Sequence, residues 1–328
     1  MTEITKECRL CGSSGPHEII AVREMYYGTR EPFQYYSCVA CDTLQIVDIL
    51  EGEELMRHYP SDYCTYKVPA KSRVARWMTN QHDRFMLHTG GRLVGALIAA
   101  FVSENIAPYV IGDAVNAVRM LSQLRLAPDA RILDVGCGGG ALLDRLASVG
   151  FKNLYGVDPF IAADTETAHG VPLMKRYLGE MSDEFDLIMF NHSLEHVPDP
   201  VATLQAAREK LAAHGVCLVR LPTPSSEAWA TYRENWVGID PPRHIVIPSR
   251  QGMAVAADRV GLRVEKTIDD SAGFQFMASE AYRRDVALTD PAIRKTFGWK
   301  ELWNWEKRAE RLNREGRGDQ AGFFLRAK

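Results

Sequence analysis

Two Cys-x-x-Cys pairs, Cys8/Cys11 and Cys38/Cys41, stand within the first 41 residues of the chain. Each pair makes a tight knuckle that can clamp a metal ion, and two knuckles supply the four thiolates of a tetrahedral Zn2+ site. Such a site is closed, so its metal is structural. A dithiol redox centre needs only one such motif. The 26 residues between Cys11 and Cys38 leave room for strands between the knuckles. Cys64, Cys137 and Cys217 have no comparable partners. Cys137 and Cys217 read as small buried side chains. An odd total of seven cysteines, with no signal-peptide run ahead of them, argues against a disulfide scaffold.

A second constellation begins at Arg131-Ile-Leu-Asp-Val-Gly-Cys-Gly-Gly-Gly140. A short apolar run ends in an acid and then in glycines, and a helical pattern follows at once. This predicts a strand, a tight turn and a helix N-terminus whose glycines admit positive φ and let a ligand approach the backbone. The spacing is Asp-x-Gly-x-Gly-x-Gly, from Asp134 to Gly140. The dinucleotide fingerprint instead starts with glycine and has a wider last gap. A second apolar run, Leu154-Tyr-Gly-Val, closes on Asp158. An acid about 20 residues past the glycines suits a ribose diol. The ligand expected is therefore nucleotide-like.

Together these residues resemble the first two motifs of the class I S-adenosylmethionine (SAM) methyltransferases. The resemblance implies that Gly136, Gly138 and Gly140 pass under the amino-acid part of SAM. It also implies that Asp134 meets the SAM ammonium and that Asp158 takes the ribose hydroxyls. Phe185-Asp-Leu-Ile-Met-Phe-Asn-His-Ser-Leu-Glu-His-Val-Pro-Asp-Pro200 is similar to the fourth-strand region of many small-molecule methyltransferases, and Asn191 is carried over from it as a cofactor contact. The beginning is similar to sugar C-methyltransferases with an N-terminal zinc domain. The matching parts are Cys8-Arg-Leu-Cys-Gly-Ser, Cys38-Val-Ala-Cys with Leu44-Gln45, and the connector Tyr59-Pro-Ser-Asp-Tyr63. Those enzymes usually carry a further C-terminal domain, for which this chain is too short.

Methyl transfer is an in-line displacement at a sulfonium methyl, so the leaving thioether needs no acid. An oxygen nucleophile must lose its proton and must be held in line. Three segments offer groups for this. Pro241-Pro-Arg-His244 matches a His-Glu-His-like segment of the sugar enzymes, whose last histidine is catalytic. Here His244 fits that histidine, whereas Arg243 replaces the glutamate, so an acid–histidine pair is not expected. Arg243 is read as a contact for an acceptor phosphate or carboxylate, and His244 either as the base or as a loop hydrogen-bonder. His192 follows the fourth strand directly, where ligands of such sheets bind. His196 reads as a structural turn residue. Tyr63 is expected to orient the acceptor, Tyr59 either to do so or to pack. Trp229, Tyr232 and Trp236 suit either packing or a flat sugar face.

The elements that must position these groups follow from the patterning. Residues 1–50 read as a zinc ribbon and residues 51–126 as a tyrosine-rich connector and helical cap. From 127 strand and helix alternate, which implies a doubly wound parallel sheet. Strands are expected at 131–136, 153–158, 171–175, 185–190, 215–221 and 262–268, with a final one from Gly322. Helices are expected at 140–149, 200–213 and 249–260, the last capped by Ser249 and ended by Gly261. The resemblance implies seven strands, with a helical insertion at 275–313 before the last. A net charge of -3 gives no footprint for a polyanion, so nucleic acid is not expected as a partner. The longest apolar stretch, Leu93 to Val102, is too short to span a bilayer. These observations imply a cytoplasmic α/β enzyme that methylates a sugar or related polyhydroxylated small molecule, on oxygen in preference to carbon. C-methylation of a nucleotide-linked keto sugar is the alternative, and a zinc-ribbon RNA methyltransferase the more distant one.

Overall fold

The computed structural model describes residues 3–60, 73–101 and 115–328. Tyr63 and Cys64 lie outside the described residues. The chain opens with strands β1 (Glu3–Ile4), β2 (His17–Arg23), β3 (Pro32–Ser37) and β4 (Leu44–Ile46), and a short helix α1 (Gly52–Met56). Helices α2 (Arg73–Met86), α3 (Arg92–Phe101) and α4 (Val115–Ser122) come next. The alternating region contains β5 (Arg131–Val135), α5 (Ala141–Ser148), β6 (Asn153–Val157), β7 (Thr165–Glu166), β8 (Pro172–Met174), β9 (Phe185–Asn191), α6 (Pro200–Glu209) and β10 (Leu211–Pro222). Then follow α7 (Glu227–Tyr232), β11 (Val246–Ile247), α8 (Arg250–Arg259), β12 (Leu262–Asp269), α9 (Phe274–Arg283), α10 (Ile293–Thr296), α11 (Trp299–Glu315) and β13 (Gln320–Ala327).

The contacts divide the chain into two compact units that do not follow the linear boundaries at 50 and 126. One comprises Met1–Pro60, His192–Arg208 and Val219–Lys328, the other Ser61–Asn191 and Glu209–Leu218. In the second unit, β5 runs parallel to β6 and β9, and β6 parallel to β8. The interior of β5 is buried at Ile132, Leu133 and Asp134, the pattern of a strand covered on both faces. Helix α5 buries Leu142, Leu143 and Leu146. Helix α2 is tied to α5 by Asp83, which accepts from the Arg145 guanidinium (Nη2 at 2.9 Å), and by Asn80 Nδ2, which donates to the Ser148 carbonyl at 2.9 Å.

The ladder order β12-β13-β10-β9-β5-β6-β8-β7 counts eight strands among the described residues. The extra one, relative to the expected seven, is the two-residue β7, a hairpin partner that edges β8 antiparallel. Strand β13 is antiparallel to β12. Strand β10 starts at Leu211, so the predicted helix over 200–213 stops at Glu209. Residues 275–313 break into α9, α10 and α11, because Pro291 and Gly298 interrupt the helical pattern.

In the first unit, β1-β2-β3-β4-β11 form a five-stranded antiparallel sheet. Its last strand comes from the far part of the chain: Val246 pairs with Gln45 and Ile247 with Leu44. Helix α8 begins as predicted, with Ser249 Oγ accepting from Gly252 N–H at 2.8 Å. The same hydroxyl donates to the Cys41 carbonyl. A Cβ on Gly252 would stand 2.1 Å from Thr43 Oγ1, so only glycine allows α8 this close to the second cysteine knuckle. Trp229, Tyr232 and Trp236 are buried. Trp236 Nε1 donates to Asp319 at 3.0 Å, so these aromatics pack the interior and present no open sugar face.

Candidate functional site

The glycine turn stands at the carboxyl end of β5. Gly136, Gly138 and Gly140 have φ of 75°, 51° and 69°. A Cβ at Gly140 would come within 2.8 Å of Leu173 and Thr167 side-chain carbons, so both the dihedral and the space demand glycine there. Asp158 holds the turn from β6: its Oδ2 accepts from Gly138 N–H at 2.9 Å and its Oδ1 from Phe160 N–H at 2.8 Å. An ionised carboxylate has about four acceptor positions, so capacity remains for two hydroxyls.

Asp134 differs. It is 4 % exposed, and its Oδ1 has no hydrogen-bond partner. Burial, with a further push from the Asp158 charge, raises its carboxyl to about 8. An unpaired carboxylate in such a place invites a cation. The ammonium of SAM fits that need, and the diol-sized acceptor capacity of Asp158 fits its ribose. Asn191 closes β9 and is half-buried. Cys137, in the turn itself, has its thiol pushed well up by burial and lies against Gly156, as a small packing residue does.

The four amino-terminal cysteines converge. Cys8 Sγ and Cys41 Sγ are 3.7 Å apart, Cys11 Sγ and Cys38 Sγ 3.5 Å, and all four sulfurs lie within 4.8 Å of one another. A tetrahedral zinc with Zn–S bonds of about 2.3 Å spaces its sulfurs by about 3.8 Å. The two spacings of 3.7 and 3.5 Å are close to that value, so the donor set suits zinc. Gln45 Nε2 donates to Cys8 Sγ at 3.0 Å, an outer contact of the kind that orients ligands.

A third cluster gathers in the first unit. His192, which directly follows β9, adopts φ +57°, an uncommon conformation for histidine. Its Nε2 faces Arg220 Nη1 at 2.5 Å and must therefore be the acceptor. Its Nδ1 stands 3.4 Å from Glu195 Oε1, without hydrogen-bond geometry. The nitrogen that a general base needs is thus occupied by a guanidinium. His244 Nδ1 lies 2.9 Å from the Gly238 carbonyl, which can only accept, so the proton sits on Nδ1 and Nε2 keeps its lone pair. That Nε2 is 4.0 Å from Glu195 Oε1.

Glu195 thus puts near His244 an acid that sequence reasoning did not expect, at a distance too long for a hydrogen bond. It comes from the segment after β9, and not from the residue next to His244. Ile245 N–H donates to the Glu195 carbonyl at 2.7 Å and joins the two segments. Burial would raise the Glu195 carboxyl, but the His192 ring beside it and the nearby charges of His196 and His244 bring it down to about 2. His196 belongs to this cluster as well, beyond its expected role in a turn. Its Nδ1 lies 2.8 Å from the Arg243 carbonyl and 3.2 Å from Tyr59 Oη. Burial and the His244 charge lower its basicity. Tyr59 thus packs its hydroxyl oxygen against His196.

Arg243 is not available to an acceptor. Its side chain is fully buried and paired with Glu24 and Asp240, with Nη1 donating to the His58 carbonyl at 3.2 Å. Tyr26 and Tyr27 lie against its guanidinium, 5.0 and 5.7 Å from it. Burial opposes ionisation of Asp240, but the Arg243 charge outweighs it and keeps the carboxyl low. The available sequence signal was Glu24 with Tyr26 and Tyr27, which only folding brings to Arg243.

Residues 106–267 match the sequence profile of a family described as a methyltransferase domain. That stretch, just under half of the chain, carries the sequence of a methyltransferase domain. Its sequence is similar to two ubiquinone biosynthesis O-methyltransferases. The one from Histophilus somni is 27 % identical over 116 residues, 31 % of this chain and 49 % of that protein. The one from Colwellia psychrerythraea is 34 % identical over 125 residues, 34 % of this chain and 47 % of that protein. The chain spans about half the length of these relatives. Among solved structures, a SAM-dependent methyltransferase from Archaeoglobus fulgidus aligns at 18 % identity with a TM-score of 0.43, covering 68 % of this chain and 97 % of that one. A mycolic acid cyclopropane synthase complexed with SAH aligns at 19 % identity with a TM-score of 0.39, covering 61 % and 79 %. Among the described residues no helix is long and apolar enough to cross a membrane.

Proposed function

We propose that the chain transfers the methyl group of SAM to a hydroxyl oxygen of a small polyhydroxylated acceptor, a sugar or a related molecule. The observation that carries this reading is the unpaired, buried Asp134 carboxylate beside the positive-φ glycine turn held by Asp158. Asp134 would hold the cofactor's ammonium, Asp158 its ribose and Gly136, Gly138 and Gly140 its amino-acid backbone, with Asn191 as a further contact. When bound, SAM supplies an electrophilic methyl group. Oxygen is favoured over carbon because the similar proteins are named O-methyltransferases. The net negative charge weighs against an RNA acceptor.

His244 is the group assigned to take the acceptor's proton. Its Nδ1–H is fixed on the Gly238 carbonyl, so Nε2 is the accepting atom. The proton leaves the hydroxyl as its oxygen bonds to the methyl carbon, and the carbon–sulfur electron pair stays with sulfur. Glu195, 4.0 Å from Nε2, stabilises the imidazolium that results. The cysteine cluster holds structural zinc, and Tyr63 keeps its assignment as an acceptor-orienting hydroxyl. Reduced thiols at all four cysteines suit a cytoplasmic setting.

The experiment is incubation with methyl-labelled SAM and a panel of nucleotide sugars, glycosides, phenols and RNA, with products located by mass spectrometry. Label on an acceptor oxygen supports the reading. Label on a ring carbon of a keto sugar replaces it with C-methylation, and label on RNA alone overturns it.

A further inference from the structure

Beyond methyl transfer, the structure assigns a second metal site to this chain: Glu195, His196 and His244, which we propose bind a divalent transition cation of the Zn2+ class. One ligand atom from each lies within 4.8 Å of the other two. The proposal stands on these side chains alone and does not depend on SAM or on the acceptor.

Three observations converge. First, Glu195 is 0 % exposed, yet neither of its carboxylate oxygens has a hydrogen-bond partner. A buried carboxylate with both oxygens unsatisfied is costly and calls for positive charge at hand. Second, both histidines are oriented in the same way. His196 Nδ1 lies on the Arg243 carbonyl and His244 Nδ1 on the Gly238 carbonyl, at 2.8 and 2.9 Å. A carbonyl only accepts, so each ring keeps its proton on Nδ1 and leaves the Nε2 lone pair free. Metal-binding histidines are held by this kind of outer hydrogen bond.

Third, the spacing suits coordination better than direct bonding. His244 Nε2 and Glu195 Oε1 are 4.0 Å apart, too far for a hydrogen bond. Two ligands at about 2.1 Å from one ion are about 3.4 Å apart at a tetrahedral angle, and further apart at a wider one. His192 Nδ1 stands 3.4 Å from Glu195 Oε1 without the geometry of a hydrogen bond, so the carboxylate stays open to an ion.

The ligand set selects the ion. Two imidazoles and one carboxylate suit Zn2+, Co2+, Mn2+ or Fe2+, whereas Mg2+ and Ca2+ prefer oxygen ligands alone. Three protein ligands leave open positions, unlike the closed four-cysteine cluster. An ion on His244 Nε2 would use the lone pair that a base uses. The metal-loaded and proton-accepting states of His244 therefore exclude one another.

The test is metal stoichiometry on the full chain without SAM. The chain is stripped under reducing conditions, reloaded with Zn2+, dialysed and measured by mass spectrometry of the metal. Two equivalents are expected for the wild type and one for Glu195→Gln and for His244→Asn. Circular dichroism and retention of the thiolate-bound equivalent show that each variant has folded. Loading with Co2+ gives a second readout. The thiolate-to-cobalt absorption should persist in Glu195→Gln, while weaker nitrogen- and oxygen-ligand bands disappear. A single equivalent in the wild type, or a wild-type cobalt spectrum matched by Glu195→Gln, would overturn the proposal.

Discussion

Asp134 makes cofactor affinity depend on pH in a calculable way. Burial raises its carboxyl from 3.8 to about 8 in the ligand-free chain. Each pKa unit corresponds to about 1.4 kcal/mol, so holding the ionised form costs on the order of 5 kcal/mol. The neutral form is therefore the one the ligand-free fold prefers. Its stability contribution is fully present below pH 3.8 and is lost as pH rises towards 8. A cofactor ammonium reverses that preference, because it binds the ionised form. Only about one Asp134 in a hundred is ionised at pH 6 and about one in four at pH 7.5. Apparent affinity scales with the competent fraction, so the Kd for SAM should fall roughly twentyfold from pH 6 to pH 7.5. The ligand's own amino group, with a pKa of about 8, stays mostly protonated over that range. Calorimetric titration at several pH values reads this directly. Asp134→Asn should bind more weakly and with a flat pH profile. A flat profile in the wild type, or an equal slope in Asp134→Asn, would refute the argument.

Asp158→Ala should weaken SAM binding at least tenfold with the fold intact, since charge-assisted hydrogen bonds contribute about 1.5–3 kcal/mol each; calorimetry and circular dichroism check the two halves. His244→Ala should lower turnover about 10²–10⁴-fold while SAM affinity stays nearly constant, and loss of both together would make His244 a cofactor or structural residue. Removal of the thiolate-bound metal, or Cys38→Ser, should unfold the β1–β4 sheet, because structural zinc contributes about 10–16 kcal/mol in small zinc domains; hydrogen exchange of those strands reports it. Arg243→Met leaves Glu24 and Asp240 without their buried partner and should destabilise the fold by about 3–5 kcal/mol in denaturant titration.

The sequence announces what local spacing governs. The apolar run before Asp134, the glycines after it and the cap at Ser249 all become the expected strand, turn and helix start. The cysteine cluster is equally plain, because four thiols in two knuckles have few other uses. What stays hidden is pairing across long separations. Nothing near His244 points to Glu195, 49 residues earlier in the chain. The arginine beside His244 looked like an anion contact, since its burial against Glu24 and Asp240 is a tertiary fact. Strand β11 was missed because two residues carry no periodicity, and the β7 hairpin for the same reason. His192 stands at the expected place, yet its neighbour Arg220 decides which nitrogen is free.

Strand β11 has a consequence for how this architecture can be recombined. The amino-terminal sheet takes its last strand from Val246–Ile247, two residues beyond His244, and Tyr35 on β3 donates its hydroxyl to the His244 carbonyl at 2.6 Å. The cysteine-bearing segment is therefore not a cassette that can be swapped among related chains. A foreign ribbon would arrive without the β4 edge that Val246–Ile247 completes and without the tyrosine that anchors the histidine loop. Any working hybrid would have to exchange residues 1–46 and 238–252 as a pair, so the two segments are expected to be inherited and to diverge together.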